Sequence, residues 1–304
     1  MDSKAPIVVF TFNRPEHTRA TLESLAQNAE FGQSRLYIYC DGARNDAEVS
    51  RVEETRRLAH EWPHPDKTVI ERERNWGLAG SIIDGVTSVC NAHGSVIVLE
   101  DDMVISRYFL EYMNAALEKY RDDERVICIH GYSFPIDGLP ETYFIKGANC
   151  QAWATWQRGW NLFEADARKL YQELGRKNLM NRFEFYGAYP YRRLLRDQIN
   201  GRVDSWAVRW YASALIHDKL TLYPGRSLIQ NIGWDGSGRH CDDYSGFATS
   251  ASDTPIALAD IEVAENKQAF EAWRRYFKSV RRQNLMRSMF SLRKIRRFVK
   301  HRLA

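Results

Sequence analysis

The stretch that decides the fold of this chain runs Val96-Ile97-Val98-Leu99-Glu100-Asp101-Asp102-Met103. Its first four residues are apolar and mostly β-branched, which is typical of a strand buried in a parallel sheet. Three carboxylates follow at once, and open α/β sheets hold their ligands beyond the carboxyl ends of their strands. Adjacent carboxylates repel one another, and a hard cation such as Mg²⁺ or Mn²⁺ relieves that repulsion. The alternative is a solvated acidic turn at the start of a helix.

The chain before this stretch alternates between strand and helix patterns. Apolar runs predict strands at residues 7–12, 36–40, 68–72 and 96–99, and helical spacing predicts helices at 17–29, 49–62 and 82–90. Such alternation implies parallel strands joined by helical crossovers. We therefore expect an α/β fold with a mostly parallel, Rossmann-like central sheet, flanking helices and a nucleotide-binding first half.

The second half has a different pattern. Strands are predicted at 126–130, 142–145 and 221–224, and helices at 108–121, at 165–179 and from residue 204 or 205 onward. We expect three regions: a nucleotide-binding half at 1–125, a second half at 126–260 and a basic helical tail at 261–304.

Composition excludes several classes of protein. The 304 residues are 44% hydrophobic and 27% charged, which is ordinary for a globular protein. The five cysteines lack CxxC spacing, so neither a zinc site nor a disulfide framework is indicated. We expect no signal peptide and no membrane span, and therefore a cytoplasmic location.

Polar residues follow each of the first three predicted strands. They are Thr11, Asn13, Arg14, Asp41, Asn75 and Gly77. Asp41 can accept a hydrogen bond from a pyrimidine N–H or a ribose hydroxyl, or it can be a turn residue before Gly42. Asn75 and Gly77 allow a phosphate or base edge to approach a helix N-terminus. Because all six lie at one edge of the predicted sheet, together they indicate a nucleotide site.

The acidic triplet then holds a metal against the nucleotide diphosphate. We expect Asp102 to be the direct ligand, since Mg²⁺ takes only one or two protein carboxylates. Asp101 is expected to bond the ribose or the sugar. His240 is a candidate for the metal or the diphosphate, although a lone histidine in a polar loop is more often simply solvated.

Transfer with inversion also needs a base for the acceptor hydroxyl. Asp204 is the first candidate because it precedes an aromatic-rich helix, and a helix N-cap is its alternative role. Asp197 and Asp235 are the reserves.

Tryptophans are candidates for the acceptor site. Trp153 and Trp156 stand in an aromatic block with Trp160, and Trp206 follows the candidate base. Their rings can form the floor of a sugar site, but the spacing within the block also fits a helix face packed into the core.

The C-terminal segment is strongly basic. Residues 274–304 contain twelve Lys or Arg and no Asp or Glu, whereas residues 1–273 carry a net charge of −8. Apolar residues interspersed with these bases predict an amphipathic helix on an anionic membrane. Nucleic-acid binding is disfavoured by the acidic body, while packing on that body or on a second subunit stays open.

Four of these segments resemble the nucleotide-sugar half of GT-A glycosyltransferases, close to family-2-like bacterial sugar transferases. They are residues 8–14, Cys40-Asp41-Gly42, Asn75-Trp76-Gly77-Leu78 and 98–103. The triplet Glu100-Asp101-Asp102 is similar to the DxD variant of N-acetylglucosaminyltransferase I, and Asp204-Ser205-Trp206 is similar to its base-bearing segment. The resemblance implies an inverting, metal-dependent transferase that uses a nucleotide sugar, with a UDP sugar as the first expectation. It makes residues 1–125 the nucleotide-sugar-binding half and residues 126–260 the acceptor-binding and catalytic half, with a glycan or lipid-linked acceptor.

In bacteria such enzymes commonly build lipopolysaccharide, capsule or other surface glycans, which would place this one at the inner face of the cytoplasmic membrane. Two other classes stay open. A sugar nucleotidyltransferase would carry a Gly-rich loop with Arg and Lys after the first strand, where this chain has Phe12-Asn13-Arg14-Pro15-Glu16. A non-catalytic, membrane-associated binding protein of the same fold would not need the acidic triplet.

Overall fold

The computed structural model describes residues 4–234 and 245–302, and from residue 285 onward only the backbone. Ten strands and ten α-helices are found in these ranges. The strands are β1 (Ile7–Thr11), β2 (Leu36–Cys40), β3 (Lys67–Glu71), β4 (Ser95–Glu100), β5 (Met103–Ile105), β6 (Val126–His130), β7 (Thr142–Lys146), β8 (Trp153–Trp156), β9 (Leu220–Pro224) and β10 (Ile229–Asn231). The helices are α1 (Pro15–Ala26), α2 (Asp46–Glu61), α3 (Gly77–His93), α4 (Phe109–Lys119), α5 (Gln157–Trp160), α6 (Ala167–Arg176), α7 (Met180–Phe183), α8 (Tyr191–Ile199), α9 (Trp206–Ile216) and α10 (Lys267–Arg302).

Eight strands form one sheet in the order β3-β2-β1-β4-β8-β6-β9-β7. The first four strands in this order are parallel, as predicted, so their carboxyl ends lie at one edge. Every residue of β1 is buried: Ile7 and Val9 pack with α1 and α4 on one face, and Val8 and Phe10 pack with α3 on the other. This burial on both faces explains why the strand is a continuous apolar run. The predicted α/β class with a mostly parallel central sheet is confirmed.

The strand β8 joins the two halves of the sheet. It lies between β4 and β6 and runs antiparallel to both. The aromatic block therefore begins as a strand at Trp153–Trp156, and only its end, Gln157–Trp160, is helical. The sequence left the block open between a sugar floor and a helix face packed in the core. Its tryptophans do pack in the core, but residues 153–156 do so from a strand, on both faces of the sheet.

A second, two-stranded sheet was not predicted from the sequence. Its strands β5 and β10 are antiparallel, and Met103 pairs with Asn231. The Ile232 amide then donates to the Asp102 carbonyl at 2.9 Å. This pairing brings the segment that follows β10 against the acidic triplet.

The C-terminal helix α10 has a buried first part. Phe270, Trp273, Phe277 and Val280 pack in a core cluster of the second half. At about 1.5 Å per residue, the 36 residues of α10 span roughly 54 Å. The basic helical tail is confirmed, but its apolar residues up to Val280 cover the body of the protein and are not available to another surface.

No helix within the described part of the chain is long and apolar enough to cross a membrane. Cys40, Cys90, Cys128 and Cys150 are free thiols.

Candidate active site

The acidic triplet lies at the carboxyl end of β4, on the edge that the parallel strands share. Asp101 and Asp102 are only 4% and 9% exposed. The Thr21 hydroxyl donates to the Asp101 carbonyl at 2.8 Å, and β10 leads the Ile232 amide to the Asp102 carbonyl. The backbone of this turn is thus held from both sides, by α1 and by the segment after β10.

Arg14 directly follows the turn after β1 and reaches both aspartates. Its Nη2 donates to Asp101 Oδ1 and, at 3.0 Å, to Asp102 Oδ2. Burial by itself would lower the pKa of Arg14, but the charges of Asp101 and Asp102 raise it above its ordinary value. One guanidinium therefore bridges two nearly buried carboxylates.

The positive charge of Arg14 does not balance the charges of the acidic side chains around it. Burial, with the charges of Asp102 and Asp101, raises the pKa of Glu100 to about 8. Burial raises the pKa of Asp101 to about 6, although the Arg14 charge acts in the opposite direction. Three acidic side chains lie near a single guanidinium, so a further cation at this corner would reduce their mutual repulsion.

One carboxylate oxygen is available to a metal. Asp102 Oδ1 is buried and has no hydrogen-bond partner, whereas Asp102 Oδ2 is taken by Arg14. A Cβ at Gly233 would lie 2.1 Å from Asp102 Oδ2, so only glycine allows the segment after β10 to close over this carboxylate. Among the described residues, no three His, Cys, Asp or Glu side chains are arranged to hold a metal by themselves. The residues fit Mg²⁺ or Mn²⁺ when substrate phosphates supply the remaining ligands.

The turns after β2 and β3 are bonded to each other. Asp41 is 6% exposed and accepts from the amides of Gly42, Trp76 and Gly77 at 2.8–3.0 Å. The Asn75 amide donates to the Gly42 carbonyl at 2.8 Å. Asp41 thus holds the first turn of α3. The sequence left two roles open for Asp41, in a turn and in nucleotide binding, and these hydrogen bonds correspond to the first. Gly77, with φ of +72°, begins that helix in a conformation that favours glycine.

The other two residues after β1 lie beside Arg14. The Thr11 hydroxyl is buried and donates to the Tyr39 carbonyl at 3.2 Å. Asn13 is half-buried, and its carbonyl accepts from Arg51 Nε at 3.4 Å. The structure therefore brings all the predicted donor-binding residues to the same edge of the sheet.

Trp153, Trp156 and Trp206 are core residues, 1%, 6% and 3% exposed. The rings of Trp153 and Trp206 stack with centroids 5.4 Å apart, and Arg158 covers the Trp156 ring at 4.3 Å. No ring face is left for a sugar, so the acceptor-floor prediction is corrected in favour of the core alternative. Trp76, in contrast, is 43% exposed at the start of α3, with Arg72 Cζ 3.9 Å from its ring centroid.

Asp204 precedes α9 without capping it. The cap is Ser205, whose hydroxyl accepts from the Val208 amide at 3.3 Å. The Asp204 side chain is 62% exposed, and its Oδ1 accepts from Arg209 Nη2 at 3.1 Å. Trp206, at the start of α9, stacks on Trp153, and Trp153 pairs with Val98 of β4. The start of α9 therefore lies near the carboxyl-terminal part of β4.

The reserve candidate Asp197 is paired with Arg202 at 3.2 Å. Asp235 and His240 lie outside the described residues.

A buried histidine at the end of β6 was not singled out from the sequence. His130 Nε2 accepts from the Gln151 amide at 3.1 Å, so Nδ1 carries the proton and donates to the Tyr132 carbonyl at 2.9 Å. Burial lowers the pKa of His130 to about 3, which keeps the ring neutral. This bond holds a strained segment, in which Ala152 has φ of +46° and the side-chain oxygen of Gln151 is buried without a partner.

The same segment borders the acidic corner. Cys150 lies close enough for the charges of Glu100 and Asp102 to help burial raise the pKa of its thiol. No local pattern in the sequence marks this wall of the site, because strands far apart in the chain create it.

A parallel sheet with polar turns and a buried acidic corner at its carboxyl edge is the architecture that the resemblance to GT-A glycosyltransferases predicts. The model of Glycosyl transferase family 2 matches residues 7–175, more than half of the chain, and the chain belongs to that family. This membership favours the glycosyltransferase class over the sugar nucleotidyltransferase class.

Several solved structures are distantly similar. A mannosyltransferase, PcManGT from Pyrobaculum calidifontis in complex with GDP-Man and Mn²⁺, is 16% identical at a TM-score of 0.33, with 57% of this chain and 48% of that chain covered. S. aureus TarS is 16% identical at 0.35, covering 52% and 29%. The bifunctional glycosyltransferase WbbM is 13% identical at 0.29, covering 44% and 24%. The chain thus spans about half or less of each, and no curated protein matches it.

Proposed function

We propose that this glycosyltransferase moves a sugar from a UDP sugar to a hydroxyl group of a glycan or lipid-linked acceptor, and that it needs Mn²⁺ or Mg²⁺. The observation that carries the proposal is the buried carboxylate of Asp102, one oxygen of which has no hydrogen-bond partner. It lies at the edge of the sheet that also holds the turns after β1, β2 and β3. Such an edge is where open α/β sheets hold nucleotides.

The donor would lie across the turns after β1, β2 and β3. Thr11, Asn13 and Arg14 would border the diphosphate and ribose, and Asp101 would bond the ribose or sugar. Asp41 would contribute by holding Asn75 and Gly77 in place at the start of α3, or through the lone pairs left on its oxygens. A carboxylate oxygen accepts more than one hydrogen bond, so the three amides do not exhaust Asp41.

Asp102 would hold the metal, with His240 as a second candidate ligand. A divalent cation bound there offsets the charge that grows on the departing diphosphate. Arg14 adds a fixed positive charge at the same corner, and the burial of the corner strengthens both interactions relative to water.

Asp204 would act as the base. The acceptor oxygen bonds to the anomeric carbon as the bond from that carbon to the diphosphate oxygen breaks, and the electron pair leaves with the diphosphate. The hydroxyl proton passes to the Asp204 carboxylate, which Arg209 orients. Attack on the face opposite the diphosphate inverts the anomeric centre. The pathway would be the synthesis of a bacterial surface polysaccharide or lipopolysaccharide.

A panel of UDP, GDP, dTDP and CMP sugars tests the donor assignment by thermal shift with and without Mn²⁺. A ligand at a hundred times its Kd stabilises the native state by about 2.7 kcal/mol, so the true donor gives a clear shift. We expect a UDP sugar to raise Tm only with Mn²⁺, and release of UDP on addition of acceptor. Equal shifts for all nucleotides, or no effect of Mn²⁺, would contradict the proposal.

The distal part of α10 is proposed to bind an anionic membrane surface at the inner face of the cytoplasmic membrane. Residues 285–304 contain seven Lys or Arg and no acidic residue. Juxtamembrane bases contribute about 1 kcal/mol each near an anionic surface. A lipid-linked acceptor would be within reach there, although a second subunit remains an alternative partner of the same segment.

Two truncations test this proposal. Removal of 285–304 should abolish sedimentation with phosphatidylglycerol vesicles and leave Tm unchanged, because the buried part of α10 is retained. Removal of 274–304 also deletes Phe277 and Val280 from the core and should lower Tm. Undiminished sedimentation of the shorter truncation would exclude the tail as the membrane contact.

A further inference from the structure

Tyr186 lies on the surface, in a strained loop between α7 and α8. Its side chain is 51% exposed, whereas the neighbouring Phe185 is buried in the core of the second half. Phe185, Tyr186 and Gly187 all have a left-handed backbone, with φ of +49°, +53° and +78°. This conformation costs free energy in residues other than glycine, so the surrounding structure must hold the loop in place.

The helix α10 holds this loop against one of its faces. Arg274 Cζ lies 5.1 Å from the centroid of the Tyr186 ring, and Arg281 Nη1 donates to the Gly187 carbonyl at 2.8 Å. Arg274 and Arg281 are seven residues apart, which is close to two turns, so they share a line along the helix. Lys278 lies one turn after Arg274 and is exposed. Bases of α10 therefore border the exposed Tyr186 ring.

The buried face of α10 cannot continue into its distal part. Trp273 and Val280, which are also seven residues apart, pack into the core. Two further steps of seven residues along the same line reach Arg287 and Lys294. The line that covers the core thus becomes basic beyond Val280, so the distal part of α10 does not extend the same core.

The face that carries the Tyr186 loop changes in the opposite direction. Steps of seven residues from Lys278 reach Leu285, Leu292 and Val299, so this line becomes apolar. Residues 274–304 contain no acidic residue, and bases therefore accompany the apolar line along the helix. This combination is typical of a helix that lies on an anionic membrane. The apolar line and Tyr186 belong to the same side of α10.

We propose that Tyr186, with the bases of α10 beside it, is a second contact with the anionic membrane surface to which the distal part of α10 binds. A tyrosine has an apolar ring and a polar hydroxyl, which suits the headgroup region of a bilayer. Lys278 is attracted to the lipid phosphates at the same level. This inference rests on the membrane-binding part of the proposed function.

The loop contact depends on the distal helix. One aromatic ring and a few bases bind a membrane only weakly by themselves. Because α10 carries both contacts, binding of the distal part brings the loop to the surface at a high effective concentration. The second contact fixes the orientation of the body on the bilayer, which a helical tail alone would leave free to turn.

The test measures the partition of the full chain onto phosphatidylglycerol vesicles by sedimentation. Tyr186→Asn removes the ring and introduces a residue that tolerates a left-handed backbone, so Tm should be retained. Its partition should fall about fivefold, because binding at the interface scales with the buried apolar area. Tyr186→Trp should partition more strongly than wild type, since its ring is larger and also prefers the interface. A merely structural role of Tyr186 predicts no such gain.

Leu78→Asn is the matched control. Leu78 is 49% exposed, but it lies on α3, which packs against β1 and β4. Loss of this side chain should leave the partition unchanged.

Equal partition of wild type and Tyr186→Asn, or no gain for Tyr186→Trp, overturns the inference. If Tyr186→Asn does not fold, Tyr186→Trp decides the question. Light scattering without vesicles tests a different occupant: a dimer that Tyr186→Asn abolishes, with vesicle partition unchanged, would assign this face to a second copy of the chain and overturn the inference. Failure of wild type to bind the vesicles at all would instead overturn the proposed membrane binding of the distal helix.

Discussion

The two halves of the sheet use their carboxyl-edge residues differently. Parallel strands β1 to β4 bring polar turns together, and there Arg14, Asp41 and Asp102 bond one another or neighbouring backbone. Antiparallel β8 starts at the same level, but its Trp153 stacks on Trp206 and is sealed into the core. Residue type alone did not separate these outcomes. Strand direction and the helix that covers the strand end decide whether a side chain borders a ligand.

The largest expected effect concerns Asp204, an exposed candidate of the second half. Asp204→Asn should preserve donor binding and lower the rate of transfer by about two to four orders of magnitude, as for loss of a general base. Steady-state kinetics with saturating donor would measure this change. Asp197→Asn, which disturbs an ion pair with Arg202, is the control and should retain near-normal turnover. Near-normal turnover of Asp204→Asn would contradict the role of Asp204 as the base.

The core assignment of the tryptophans predicts a stability effect. Trp153→Ala should lower the free energy of unfolding by about 3–5 kcal/mol, because a large buried ring is lost. Chemical denaturation would measure this change. Trp153→Phe keeps an aromatic ring and removes an indole N–H that has no partner, so it should cost much less. A selective rise in acceptor KM for a stably folded Trp153→Phe would restore the sugar-floor hypothesis.

A smaller effect is expected from the acidic corner itself. In metal-free protein the pKa of Glu100 is raised to about 8, against about 4.3 in an unfolded chain. Between these values the native state holds a proton that the unfolded state has lost, so stability falls as pH rises. Glu100→Gln removes this pH-dependent loss of stability. The Tm of the variant minus the Tm of wild type should therefore be larger at pH 8 than at pH 5, with both measured in EDTA.

The matched control for this experiment is Glu118→Gln, at an exposed position on α4, whose Tm difference from wild type should not depend on pH. A difference for Glu100→Gln that is the same at both pH values would show that the corner is not strained by its own charge.

The fold was largely predictable because its buried strands are short apolar runs. The predicted strands at 36–40 and 126–130 coincide with β2 and β6, and the acidic triplet follows β4 as expected. The predicted donor residues also share one edge, since parallel order follows from the alternation of strands and helices.

The missing parts depend on contacts between distant residues. Met103 pairs with Asn231, and the Gln151 amide bonds His130, and neither contact leaves a local pattern. The bridge from Arg14 to Asp101 and Asp102 spans 87 and 88 residues, so the sequence identified all three residues without indicating that they touch. The sequence offered the helix cap as the alternative role of Asp204, and only the geometry assigns the cap to Ser205.

The most direct test of the account is calorimetric titration of UDP into wild type and Asp102→Ala, each with and without Mn²⁺. We predict that Mn²⁺ tightens UDP binding to wild type at least tenfold and has no effect on UDP binding to Asp102→Ala. Equal affinity of wild type with and without Mn²⁺, or a Mn²⁺ effect that survives in Asp102→Ala, would contradict the placement of a metal and diphosphate at the end of β4.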